Sequence, residues 1–83
     1  MSIDEAGIKE LVTYLVTSLV DDAEAVAVTS EQEGSTVTVT VSVAADDIGK
    51  VIGRQGRIVK AIRTVARAAG SQSNLNVEVE VDG

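Results

Sequence analysis

The sequence contains no cysteine and no histidine, and Tyr14 is its only aromatic residue. Without cysteine there is no disulfide framework and no thiolate chemistry. Without histidine the commonest metal ligand and the usual general base are missing. No metal site, no cofactor and no catalytic residue is expected. No apolar run approaches the ~20 residues that span a bilayer, so no membrane segment is expected. Residues 1–20 lack a basic start, and polar residues interrupt their apolar ones, so they do not read as a signal peptide. The expected location is cytoplasmic.

Arginine and lysine are also scarce, 7 against 13 acidic residues, for a net charge of −6. Taken as a sum, that charge opposes a polyanionic partner. Its distribution reverses the inference. Every cation except Lys9 lies in the stretch from Lys50 to Arg67, which holds no Asp or Glu. An acidic body with one basic patch points to a polyanion. The hydrophobic fraction of 45% comes mainly from Val, Ala, Ile and Leu, as in a folded domain. The 83 residues are expected to form one domain, 1–83, too small for a deep enclosed active site.

Ser2-Ile3-Asp4-Glu5 reads as a capping box, with the Ser2 oxygen on an orphan N–H and Glu5 reaching back. Ile8, Leu11, Val12, Leu15, Val16 and Leu19 then recur at helical spacing, predicting an amphipathic helix that ends near Asp21-Asp22. Tyr14 is expected at the surface or rim. Val26 and Val28 suggest a weak first strand, and Glu31-Gln32-Glu33-Gly34 a turn. Thr36 to Val43 alternates hydroxyl and β-branched residues without a break and predicts the clearest strand. Asp46 or Asp47 is expected to cap a short helix carrying Ile48, Val51 and Ile52. A second helix runs from about Arg57 to Ala69, stopped by Gly70 and Ser71. Leu75, Val77, Val79 and Val81 alternate with polar residues as a third strand. The order α-β-β-α-α-β predicts an α+β fold: a three-stranded mixed sheet with helices packed on one face, the first two strands a hairpin and the last two parallel.

Between the last two helices lies Val51-Ile52-Gly53-Arg54-Gln55-Gly56-Arg57-Ile58. Gly53 and Gly56 accept backbone angles closed to other residues and let a ligand approach the main chain. A helix starts directly after them, and helix starts offer free N–H groups and a positive dipole end to phosphate. Arg54 adds a forked donor. With Arg57 at zero and about 100° per residue, Lys60, Arg63 and Arg67 fall at roughly 240° to 300°. Ile58, Ile62, Val65 and Ala69 fall at roughly 80° to 140°. The expectation is an apolar stripe on the sheet and a basic stripe facing away, with Lys50 reaching the same side from one turn before the loop.

This segment closely resembles the KH signature V-I-G-x-x-G-x-x-I. The order of elements resembles the type II, bacterial, arrangement. Over nearly the whole chain the sequence is similar to the small stand-alone KH proteins of the KhpA family. The resemblance implies single-stranded RNA as ligand, with Gly53, Arg54, Gln55 and Gly56 clamping the backbone of about four nucleotides. Lys50, Arg57 and Lys60 are expected beside them. Ile48, Val51, Ile52 and Ile58, with Val39 or Val41, match positions lining an apolar groove for bases, although any of these aliphatic residues can equally serve packing. Only one of the two variable loop positions is charged, which weakens phosphate contact without removing it. The family also implies a homodimer, or a heterodimer with a second KH-containing protein of the KhpB (Jag, EloR) kind, and an RNA-chaperone or post-transcriptional role linked to cell elongation and division.

Two other readings compete. A nucleotide-binding enzyme would need G-x-x-x-x-G-K-[ST] or G-x-G-x-x-G, and neither occurs; Gly49, Gly53 and Gly56 have the wrong spacing. The adjacent carboxylates Asp46 and Asp47 are accounted for by helix capping. Alternatively, the same fold could serve protein interaction or dimerisation with little RNA binding of its own. An RRM is disfavoured, because its bases stack on sheet aromatics that this chain lacks.

Overall fold

A computed structural model describes residues 3–82. Its elements are α1 (Glu5–Thr17), β1 (Ala27–Glu33), β2 (Thr36–Ser42), α2 (Ile48–Ile52), α3 (Arg57–Ser71) and β3 (Asn76–Asp82), with short 3₁₀ turns at Ala23–Ala25, Ala45–Asp47 and Arg54–Gly56. The α-β-β-α-α-β order is the one expected. The sheet runs β1-β2-β3, with β1 antiparallel and β3 parallel to β2. The helices pack on one face of it, as the alternation in β2 requires: Val37, Val39 and Val41 are fully buried, and Thr36, Thr38, Thr40 and Ser42 point the other way.

The core joins Ile8, Val12 and Val16 of α1 to Val37, Val39 and Val41 of β2, Val51 of α2, Ile62 and Ala66 of α3, and Val77 and Val79 of β3. It is almost wholly β-branched, which suits side chains standing on a pleated sheet. Each such residue contributes about 1.5–3 kcal/mol by leaving water. Three residues expected in a base groove, Val39, Val41 and Val51, belong to this core and are fully enclosed. They hold the sheet and α2 together and offer no surface to a ligand.

Several boundaries differ from expectation, each for a local reason. Ser2 lies outside the described residues; within them the cap of α1 is Asp4, whose Oδ1 accepts from the Gly7 amide at 2.9 Å. Helix α1 stops at Thr17, before Asp21-Asp22. The hydroxyls of Thr17 and Ser18 bond back to the carbonyls of Thr13 and Tyr14, and the Leu19 amide bonds to the Val16 carbonyl, tightening the last turn. Strand β1 continues through Glu31, Gln32 and Glu33, so the turn shrinks to Gly34-Ser35, with Gly34 at a φ of 62°. A positive φ at the first position of a two-residue loop matches the twist of a hairpin.

Helix α3 also sits differently from its helical wheel. The residues facing the sheet are Val59, Ile62, Ala66 and Gly70, whereas Val65, expected in that stripe, is 44% exposed. Gly70 does not end the helix. It lies inside it, and a Cβ there would stand 2.4 Å from Val77 Cγ2. The helix is therefore rotated so that its two smallest sheet-side residues, Ala66 and Gly70, let it approach β3 closely. The left-handed residue that reverses the chain afterwards is Asn74, at a φ of 58°.

Candidate nucleic-acid interface

Helix α2 ends at Gly53, whose φ of 76° and ψ of 172° are open to glycine alone. Gln55 (φ 58°, ψ 23°) and Gly56 (φ 75°, ψ 15°) are both left-handed, and Arg57 returns to the helical region. This left-to-right alternation turns successive amides toward one side, a geometry that binds anions. Within the turn the Gly56 amide donates to the Gly53 carbonyl and the Arg57 amide to the Arg54 carbonyl. Those two donors are therefore spent internally. The donors left for a ligand are the amides of Arg54 and Gln55, together with the first-turn amides of α3 after Arg57.

The turn stands on the surface. Arg54, Gln55 and Arg57 are exposed, and Gly53 and Gly56 are half-buried. Ile58 props it from beneath: a Cβ on Gly53 would lie 2.3 Å from Ile58 Cγ1 and 2.9 Å from the Ile58 amide nitrogen. Ile58, expected in the base groove, also lines the cleft between α1 and α3 with Leu15 and Leu19. It thus supports the turn while keeping part of its side chain exposed. Ile48 and Ile52 remain as half-buried aliphatic surface on α2, beside the turn.

The cations separate into two groups. Among the described residues both salt bridges belong to Lys50, whose ammonium reaches Asp21 Oδ2 and, at 3.1 Å, Asp47 Oδ1. Arg63 is half-buried and donates its Nε–H to the Val79 carbonyl at 3.1 Å, covering the edge of β3. Arg54, Arg57, Lys60 and Arg67 form no ion pair among the described residues, and all four are exposed. Lys60 folds back over the turn, its Cε within 3.9 Å of where a Cβ of Gly56 would be. The result is an unpaired positive strip running from the turn along α3.

The opposite face of the sheet has the reverse charge. Glu31 and Glu78 flank Thr38, Glu33 pairs with Thr36, Glu80 with Thr40 and Asp82 with Ser42. Directly paired residues share a face, so five carboxylates stand around a hydroxyl stripe with no cation among them in the described residues.

Asp47 departs from its expected role as a helix cap. It occupies the N-cap position of α2, yet neither it nor Asp46 caps with its side chain. The residue is 2% exposed, and its carboxylate accepts the amides of Asp22 (3.0 Å) and Asp21 (3.3 Å) and the Lys50 ammonium. The Asp22 amide, aided by Lys50 and the Asp21 amide, holds its carboxyl below the usual carboxylate range despite desolvation. Asp21 and then Asp47 raise the Lys50 ammonium above the usual lysine range. The sequence did carry a signal for one arm of this cluster, the i,i+3 spacing of Asp47 and Lys50. The other arm joins residues 29 positions apart and left no local trace.

Comparison with known proteins identifies the family. Residues 9–81 match the family model "KhpA/KhpB, KH domain". The chain is 42% identical over 73 residues to the RNA-binding protein KhpA of Listeria monocytogenes, covering 88% of this chain and 96% of that one. It is 47% identical to the RNA-binding protein KhpA of Clostridium perfringens, covering 88% and 97%. Against that of Bacillus subtilis the identity is 42%, covering 89% and 91%. No solved structure matches. A glycine-flanked turn between two helices, on an α-β-β-α-α-β frame with a matching sequence over nearly its full length, places this chain in the KhpA/KhpB family of KH-domain proteins.

Proposed function

We propose that this chain binds single-stranded RNA, gripping the sugar–phosphate backbone with the Gly53–Gly56 turn and the exposed cations Arg54, Arg57 and Lys60. The observation that carries this reading is the strip of unpaired positive charge beside a surface turn whose backbone angles gather amides on one side. The acidic sheet face supports it from the other direction, since it repels polyanion and leaves one face for RNA. Its relatives are named for RNA binding. Bases lie on the half-buried aliphatic surface of Ile48 and Ile52. A KH domain holds about four nucleotides, so one copy binds weakly and with little sequence discrimination. Useful affinity comes from pairing two such domains, in a homodimer or with a KhpB-like partner, because linked sites gain effective concentration. In that form the protein serves as an RNA chaperone or post-transcriptional regulator in the cytoplasm.

One observation favours protein contact as an additional use. Tyr14 is 69% and Val65 44% exposed, and with Leu15, Leu19 and Ala61 they line an apolar cleft between α1 and α3. Apolar surface of this kind marks interfaces. Salt dependence separates the two uses. Contact with about four phosphates gives a log–log slope near −0.7 per phosphate, so affinity for a fluorescent oligouridine falls roughly 50-fold between ~50 and ~200 mM salt. A flat salt response, with self-association intact, would leave protein interaction as the main role.

A further inference from the structure

Lys50 precedes the turn by one helical turn and, from sequence, belongs with the phosphate contacts. Its surroundings assign it elsewhere. The ammonium lies between Asp21 and Asp47. Asp47 is almost fully enclosed and has both oxygens engaged, Oδ2 by the Asp22 amide and Oδ1 by the Asp21 amide and Lys50. Turning Lys50 outward to a phosphate would strip a buried carboxylate of its only cation among the described residues, and a buried charge left unpaired is strongly unfavourable. The exposed surroundings oppose the move as well. The side chain of Asp21 is 85% exposed, and Asp22 and Asp46 are exposed beside it. Four carboxylates against one ammonium leave this side of α2 with a net charge of −3. On the other side of the turn, Arg54, Arg57, Lys60 and Arg67 are all unpaired among the described residues.

The cluster also joins parts of the chain that no other hydrogen bond of Asp47 or Lys50 connects. Asp21 and Asp22 belong to the segment between α1 and β1, whereas Asp47 and Lys50 lie at the start and middle of α2. Helix α2 has only five residues, too few to hold itself in place. Its far end is Gly53, the first residue of the turn.

We infer that Lys50 is a positioning residue rather than an RNA contact: with Asp21 and Asp47 it locks α2 onto the α1–β1 segment, fixes the Gly53 end of the turn, and leaves a negative flank that sends the RNA strand along α3. The lock rests on the proposed use of the turn as the RNA grip, so its test must tell the two apart.

The test measures oligouridine affinity across a salt series for the full chain and for Lys50→Met, Lys50→Arg and Lys60→Met, with circular dichroism confirming the fold of each. Lys60→Met removes a phosphate contact, and the slope shrinks by about 0.7. Lys50→Met keeps the slope of the unsubstituted protein and binds about three- to tenfold more weakly. Lys50→Arg, which can still bridge both carboxylates, restores the affinity. Asp47→Asn supplies a check of opposite sign. Removing a negative charge near RNA should tighten binding on electrostatic grounds alone, whereas loss of the lock weakens it. A Lys50→Met slope reduced as much as that of Lys60→Met overturns the inference, because Lys50 then touches phosphate. Unchanged slope and unchanged affinity in Lys50→Met overturn it too, because nothing was being positioned. If Lys60→Met also leaves the slope untouched, the grip itself is misplaced and the lock falls with it.

Discussion

Arg54→Asp combined with Gln55→Asp lowers affinity for single-stranded RNA about 100-fold or more while leaving the melting transition where it was. Two charge-assisted contacts are lost, each worth about 1.5–3 kcal/mol, and two carboxylates now face the backbone. At about 1.4 kcal/mol per factor of ten, even the low end of that range gives the stated loss. Stability holds because both side chains are exposed and neither takes part in a side-chain hydrogen bond or ion pair among the described residues. The left-handed backbone of residue 55 tolerates Asp better than most replacements. Circular dichroism melts beside a fluorescent-RNA titration check both halves. Full affinity in a folded double variant removes the turn from the mechanism.

Gly53→Ala strikes fold and site together. The new methyl would stand 2.3 Å from Ile58 Cγ1, 2.8 Å from its Cβ and 2.9 Å from its amide nitrogen. A flexible side-chain tip could swing aside, but the backbone nitrogen of the first helical turn cannot. The φ of 76° with ψ of 172° adds strain that only glycine avoids. Strain and overpacking together lower the unfolding free energy by about 2–4 kcal/mol. Because relief comes by pushing Ile58 and the start of α3 away from the turn, RNA affinity falls with stability. Gly56→Ala is the contrast. Its φ of 75° is also unfavourable, yet the nearest atoms to its added Cβ are 3.9 Å away, so it loses less stability. Urea denaturation of the two variants checks the ranking; equal losses would mean that backbone angle alone, not the Ile58 contact, decides.

Much of this molecule could be read from local pattern, and the reasons are physical. The uninterrupted alternation from Thr36 to Val43 reports a strand with one wet face, and β2 is that strand. The glycine spacing marked a turn at Gly53–Gly56 because positive φ leaves a residue-type signature there. Gln55 left none, since its left-handed angle is imposed by the closure of the turn. What escaped was set by distant partners. Helical spacing carried the first helix on to Asp21-Asp22, but their amides serve the buried Asp47 carboxylate some 25 residues later. Gly70 resembled a terminator, and only the approach of Val77 shows why a glycine sits inside the helix. The helical wheel of α3 left Arg57, Lys60 and Arg67 exposed as expected, but it could not fix the rotation, which depends on where small residues meet β3 and which brings Arg63 onto the Val79 carbonyl. Val39, Val41 and Val51 show the same limit: an aliphatic residue near a binding turn looks identical in sequence whether it lines a groove or fills a core.

The division of charge between two faces gives the molecule its direction. A domain with net charge −6 repels RNA except where its own carboxylates are held away, and the site proposed on α3 and the turn is such a region. The most direct measurement is a titration of ¹⁵N-labelled protein with a short oligouridine, followed amide by amide. The expected result is that resonances from Gly53 to Lys60 move together on adding RNA while those of Thr36, Thr38, Thr40 and Ser42 stay in place. Movement centred on the sheet face, with the turn unaffected, would contradict the account.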